Sequence, residues 1–336
     1  MPAKRPIDLK RDSGGIFDVG TPKEGPVGSA VEIDDSLYII KPNAIYALKT
    51  ADQIDPNRTN IGLPKTITRQ VFSVGSESEI VGKILLTAVS LLDKGKFLRE
   101  GIDAPQALAI CLDALTAVLT MKSMATEFEV AEKAARAKTD AQQRSGHAEQ
   151  QPFLGDAKAR CKTFAQQADH AVGAILDIVQ LFYPEIRDAP WDALHEKLRR
   201  ELGYEDAFVK FLDEAIPFFK LVRNARNCLD HRNLKGVTVK DFEVQSDGTV
   251  HPPTIEIDFR GSQHPIVAIS AFMNGVIASL ATGFEMMIAH LCNTNSRPPR
   301  PPIPIHIDMP AENRRRWKHV RFYYGCRFNG EFIPAG

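Results

Sequence analysis

The stretch that decides the reading is Pro217–His231, PFFKLVRNARNCLDH. Wound at about 100° per residue, it sets Phe218, Leu221, Val222, Ala225 and Leu229 on one arc, which should face the core or a partner. Lys220, Asn224, Asn227 and His231 fall on the other side, and Arg226 lies on the flank of the apolar arc. An arginine at the margin of a buried stripe needs an anion or acceptor, because an unpaired buried charge is costly. Arg226 and His231 are separated by about 140° on a straight helix, so one straight helix cannot aim both at a single ligand. Either the helix bends or ends near Asp230, or two copies of the chain contribute residues across a two-fold interface.

Working outward, helical periodicity dominates. Ser76-x-x-Glu79 has capping-box spacing ahead of the apolar run Ile80–Leu92. Further helices are expected from Pro105 to Arg144, from Asp156 to Phe182 ahead of Pro184, over Trp191–Leu202 ahead of Gly203, from Glu205 to His231, and over Pro265–Cys292. Between the last two, Val237–Val244 and Thr254–Phe259 alternate around Ser246-Asp247-Gly248, which reads as an inserted β-hairpin. Residues 1–35 are rich in Gly, Pro and charge and read as a flexible arm. Residues 36–75, punctuated by Pro42, Pro56 and Pro64, read as extended and turn segments packed on the body. Residues 76–294 form the helical domain, with the hairpin near 237–259. Residues 295–336 form a Pro-rich, basic, aromatic tail with a hairpin at Asn329-Gly330. The expected fold class is mainly α, with small β appendages at the termini.

Lys plus Arg and Asp plus Glu are 42 each, so no global field advertises a nucleic-acid partner, and any such partner depends on a local patch. The tail offers one: Arg314, Arg315, Arg316, Trp317, Lys318 and Arg321 interleave cations with an aromatic ring, a composition suited to single-stranded RNA. The same aromatics would equally pin a hairpin to the body. Five dispersed cysteines without CxxC spacing argue for a reducing compartment and against a disulfide framework. His290-x-Cys292 is the nearest approach to a metal pair, and a helix position explains it better. No charged leader with an apolar segment opens the chain, and no uninterrupted apolar run reaches bilayer length, so a soluble cytoplasmic protein without a membrane partner is expected.

Arg226-Asn227-x-x-x-His231 resembles the R-x4–6-H motif of the HEPN superfamily, in which a polar residue often follows the arginine. The resemblance covers roughly residues 76–294 and implies a HEPN-like helical bundle that dimerises and places the motif in a cleft between protomers. It also implies a metal-independent endoribonuclease without a cofactor, acting in phage defence or a toxin–antitoxin system, with an antitoxin or regulatory protein as partner. Carried over, His231 is the general acid/base, Arg226 stabilises charge on the scissile phosphate, and Asn227 holds the phosphate or orients His231. The alternative expectation is a non-catalytic module of the same type that binds RNA, nucleotide or a protein.

Overall fold

The computed structural model describes residues 4–14, 18–92, 95–144, 151–186, 190–231, 233–297 and 305–335. About 51% of the described residues are helical and 19% lie in strands, in four separate sheets, so the architecture is mixed α/β. This corrects the expectation of a mainly α, all-helical bundle. Periodicity finds long helices, whereas short strands closed by turns without an Asn-Gly signature escape it.

Two compact units make up the chain: residues 1–109 with 296–336, and residues 110–295. In the first, α1 (Pro6–Asp12) precedes an antiparallel meander of β1 (Ser29–Ile33), β2 (Ser36–Ile40), β3 (Ile45–Thr50) and β4 (Thr66–Phe72). Helix α1 and strand β1 therefore fall within the segment expected to be a flexible arm. Asp34 makes the β1–β2 turn at φ 49°, a left-handed conformation that Asp tolerates. The short α2 (Ala51–Ile54) is closed by a capping box between Thr50 and Gln53. Charge ties α1 down: the buried Arg11 reaches Asp52 and Asp55 at 3.1 Å each, and Arg58 reaches Asp52 at 2.7 Å and Asp12 at 2.9 Å. Lys41, also buried, donates to the carbonyls of Val19 (2.7 Å) and Thr21 (2.9 Å) and lies 3.4 Å from Glu24.

Helix α3 (Glu79–Val81) starts after Ser78 rather than Ser76. It runs through a π turn at Gly82–Leu86 into α4 (Thr87–Leu92), and Gly82 lies directly against the backbone of His319. Helix α5 (Ala104–Arg144) begins in the first unit and continues into the second.

The second unit adds α6 (Ala157–Phe182), α7 (Pro190–Leu202) and α8 (Ala207–Asp230), each within two residues of its expected bounds. Beyond α8 come β5 (Val237–Lys240), β6 (Glu243–Val244), β7 (Val250–His251), β8 (Thr254–Phe259) and β9 (Ser262–Ala268). β5, β8 and β9 form one antiparallel sheet in that order, and β6 and β7 form a separate small hairpin. Strand β9 is a second correction, because Pro265 was expected to open a helix. Arg260 (φ 49°) and Gly261 (φ 80°) form a two-residue turn of the kind that matches strand twist, returning the chain onto β8. β9 is an edge strand beside a register shift, where the missing N–H of Pro265 is tolerated.

Helix α9 (Ile269–Thr294) follows and is buried along most of its length. It and the Ala104–Thr139 part of α5 are long and apolar enough to cross a bilayer by length and composition, but 67% of the most apolar stretch of α9 is buried inside the protein, as in a core helix. The chain then returns to the first unit with β10 (His306–Asp308), β11 (Tyr323–Phe328) and β12 (Glu331–Pro334), which form a three-stranded sheet. The β11–β12 turn is Asn329-Gly330, as the sequence predicts. The expected Pro-rich linker at 298–304 and most of the expected loop at 145–152 lie outside the described residues.

Candidate active site

Helix α8 begins where Asp206 accepts the N–H of Phe208 at 2.8 Å, satisfying one of the free donors of a helix start. Val222, Ala225 and Leu229 are buried as the arc predicts, whereas Phe218 and Leu221 are half-buried. Phe219 and Cys228 are buried instead, so the apolar face is rotated toward them. This face packs on α6, α7 and the β5–β8–β9 sheet. Asn224, on the polar side, donates to Ser262 Oγ at 2.9 Å and fastens α8 to β9.

The helix stops at Asp230. His231 leaves it in extended conformation (φ −101°, ψ 110°), its N–H bonded to the Asn227 carbonyl at 3.0 Å. Its side chain is exposed, and among the described residues its ring has no hydrogen-bond partner. Of the alternatives raised by the 140° separation, the single chain shows the helix ending at Asp230.

Arg226 finds the acceptor its position demands. Its Nε lies 2.9 Å from Asp230 Oδ2 and 3.8 Å from Asp169 Oδ2, and its Nη1 donates to Asn227 Oδ1 at 3.1 Å. The Asp230 carboxylate is also held from α6: Gln166 Nε2 donates to Oδ1 at 2.9 Å, and Lys162 Nζ is 3.3 Å away. Burial pushes the Asp230 pKa up, but Lys162, Arg226 and Gln166 outweigh it and hold it below the usual aspartate value. The result is a charge-balanced cluster of two cations and two carboxylates at the last turn of α8, ahead of the exposed His231.

Lys162, Gln166 and Asp169 were not singled out by the sequence reading. Their i, i+4, i+7 spacing puts them on one helical face, but nothing local to α6 says that this face meets α8.

The six tail residues are in the first unit, each in a local contact. Arg314 pairs with Glu331 at 2.8 Å, Arg315 Nε donates to the Pro310 carbonyl at 3.4 Å, and Lys318 lies 3.5 Å from Glu77. Arg316 covers the Trp317 ring at 4.5 Å, and Arg321 stands over Phe322 at 5.4 Å. Trp317 is only 8% exposed, so its ring presents no free face for a base, while Arg314, Arg316 and Lys318 remain exposed. The aromatics anchor the hairpin, and the cations face outward.

His290 stacks on Phe208 (4.9 Å between ring centroids) and Phe211 (5.3 Å), and Cys292 is buried. Among the described residues no group of three or more His, Cys, Asp or Glu is placed to hold a metal ion. Comparison of the chain with family models, curated proteins and solved structures gives no match in any of the three.

Proposed function

We propose that the chain is a HEPN-type, metal-independent endoribonuclease working at the end of α8 through Arg226, Asn227 and His231. The observation that supports this best is the termination of the helix at Asp230, which frees His231 from helical spacing and leaves its side chain exposed one residue beyond the turn that carries the bonded Arg226–Asn227 pair. An imidazole exchanges protons near neutrality. In the reaction, a base takes the proton of the RNA 2′-OH, the 2′-oxygen forms a bond to the adjacent phosphorus, and the bond to the 5′-oxygen breaks as that oxygen receives a proton. The guanidinium of Arg226 stabilises the charge gathering on the phosphate oxygens, and Asn227 holds Arg226 or the phosphate. A cytoplasmic homodimer with two such helix ends sharing a cleft, acting in phage defence or as a toxin with a regulatory partner, completes the reading. Light scattering on the active protein should report a dimer; a monomer that cleaves RNA contradicts the shared cleft.

The products test the chemistry. In EDTA, cleavage should leave a 2′,3′-cyclic phosphate and a 5′-hydroxyl, and a single 2′-deoxy substitution at the cut position should block it. Cleavage that survives that substitution rules out this mechanism.

A second reading is favoured by the pairing of Arg226 with Asp230 and Asn227. A guanidinium already compensated suits a non-catalytic module that binds RNA, nucleotide or a protein. Gel-shift retention of RNA without cleavage by the wild-type protein selects that reading.

A further inference from the structure

Asp230 does more than end α8, an inference that rests on the ribonuclease reading above. A guanidinium carries five N–H donors. In Arg226, Nε lies 2.9 Å from Asp230 Oδ2 as an ion pair, and one Nη1 hydrogen is donated to Asn227 Oδ1. Among the described residues no other group holds the terminal nitrogens, and the side chain is 37% exposed. Nη2 and the second Nη1 hydrogen therefore have no partner among the described residues. The carboxylate that holds Nε is itself fixed, because its other oxygen is engaged by Gln166 and Lys162 from α6 and it is only 13% exposed. A carboxylate fixed from α6 through Oδ1 is a rigid post for the guanidinium paired with it. The terminal nitrogens left without a partner are donors that fit phosphate oxygens.

We propose that Asp230 is a positioning residue: fixed by Gln166 and Lys162, it holds the Arg226 guanidinium as an ion pair, so that the terminal N–H groups not used by Asn227 receive the non-bridging oxygens of the scissile RNA phosphate. The opposite role, a carboxylate that merely competes with phosphate for Arg226, makes the opposite prediction, since removing it would then raise activity or lower KM.

The test is kcat and KM of the full-length protein on one RNA hairpin that the wild type cleaves, in EDTA. Asp230→Asn should lower kcat about 100-fold, and Gln166→Leu, which loosens the post without touching Arg226, about tenfold, because misplacing a group that meets the transition state costs turnover. KM should stay within about threefold for both, since the loss is in transition-state stabilisation. Thermal melts separate folding from catalysis, and if Asp230→Asn does not fold, Gln166→Leu decides alone. An unchanged or increased kcat, or a loss confined to KM, overturns the proposal while leaving the ribonuclease reading intact. A wild type that cuts no RNA removes both.

Discussion

His290, half of the only His–Cys pair that suggested a metal ligand, lies between Phe208 and Phe211. Burial pushes its pKa below that of an ordinary histidine, with Asp206 pulling the other way. The unfolded chain therefore binds this proton more readily than the folded one. The group's stabilising contribution is complete above about pH 6.5 and is lost as pH falls through the lower folded value. His290→Phe should narrow the gap between urea midpoints measured at pH 7.5 and pH 5.5, and an unchanged gap contradicts this account. Arg226 was the more legible residue. Its place on the edge of an apolar arc demands an acceptor, and Asp230 four positions on could supply it. The α6 half of the cluster was not legible, since no property of Lys162, Gln166 or Asp169 records which helix they meet in three dimensions.

At the scale of elements, the long helices could be read because each carries an apolar face every three to four residues over many turns. Strand β9 could not. Its residues lead without polar interruption into the apolar α9, and its turn is Arg260-Gly261 rather than Asn-Gly or Asp-Gly. Arg260 takes φ 49° there, which costs a residue with a long side chain more than it costs Asn. Arg260→Asn should therefore stabilise the protein by up to about 1 kcal/mol, read as a higher urea midpoint at constant m-value. A lower midpoint means that the arginine side chain contributes there in a way the turn geometry does not account for. Asp241 illustrates the same limit: its carboxylate accepts the N–H groups of Leu154 (3.1 Å) and Gly155 (2.9 Å), so a β-segment residue fixes the chain entering α6, and local sequence gives no sign of it.

For the whole molecule, the segments least expected to fold together, residues 1–109 and 296–336, are one unit. Val320, Tyr323 and Tyr324 are buried there, and Gly82 admits the backbone of His319. Composition alone described this tail as a basic, aromatic surface; pairing of distant segments, which no local pattern records, puts Trp317, Val320, Tyr323, Tyr324 and Phe332 in the core. Deleting the tail would therefore disturb the fold as well as any RNA contact. The exposed cations give a cleaner test. Replacing Arg314, Arg316 and Lys318 together by Ala should leave the thermal melt within a few degrees of wild type. If they touch RNA, each lost phosphate contact should reduce the slope of log affinity against log salt by about 0.7. An unchanged slope removes the tail from the RNA-binding surface.

Cleavage by an imidazole at the polar end of α8, with no metal, is checked by incubating tRNA or total RNA in EDTA with the wild-type protein and with His231→Ala. The exposed His231 side chain, with no hydrogen-bond partner to lose among the described residues, makes the substitution structurally mild. The account predicts cleavage by the wild type and a loss of at least about 100-fold in the variant. Equal cleavage by both proteins, or by neither, contradicts it.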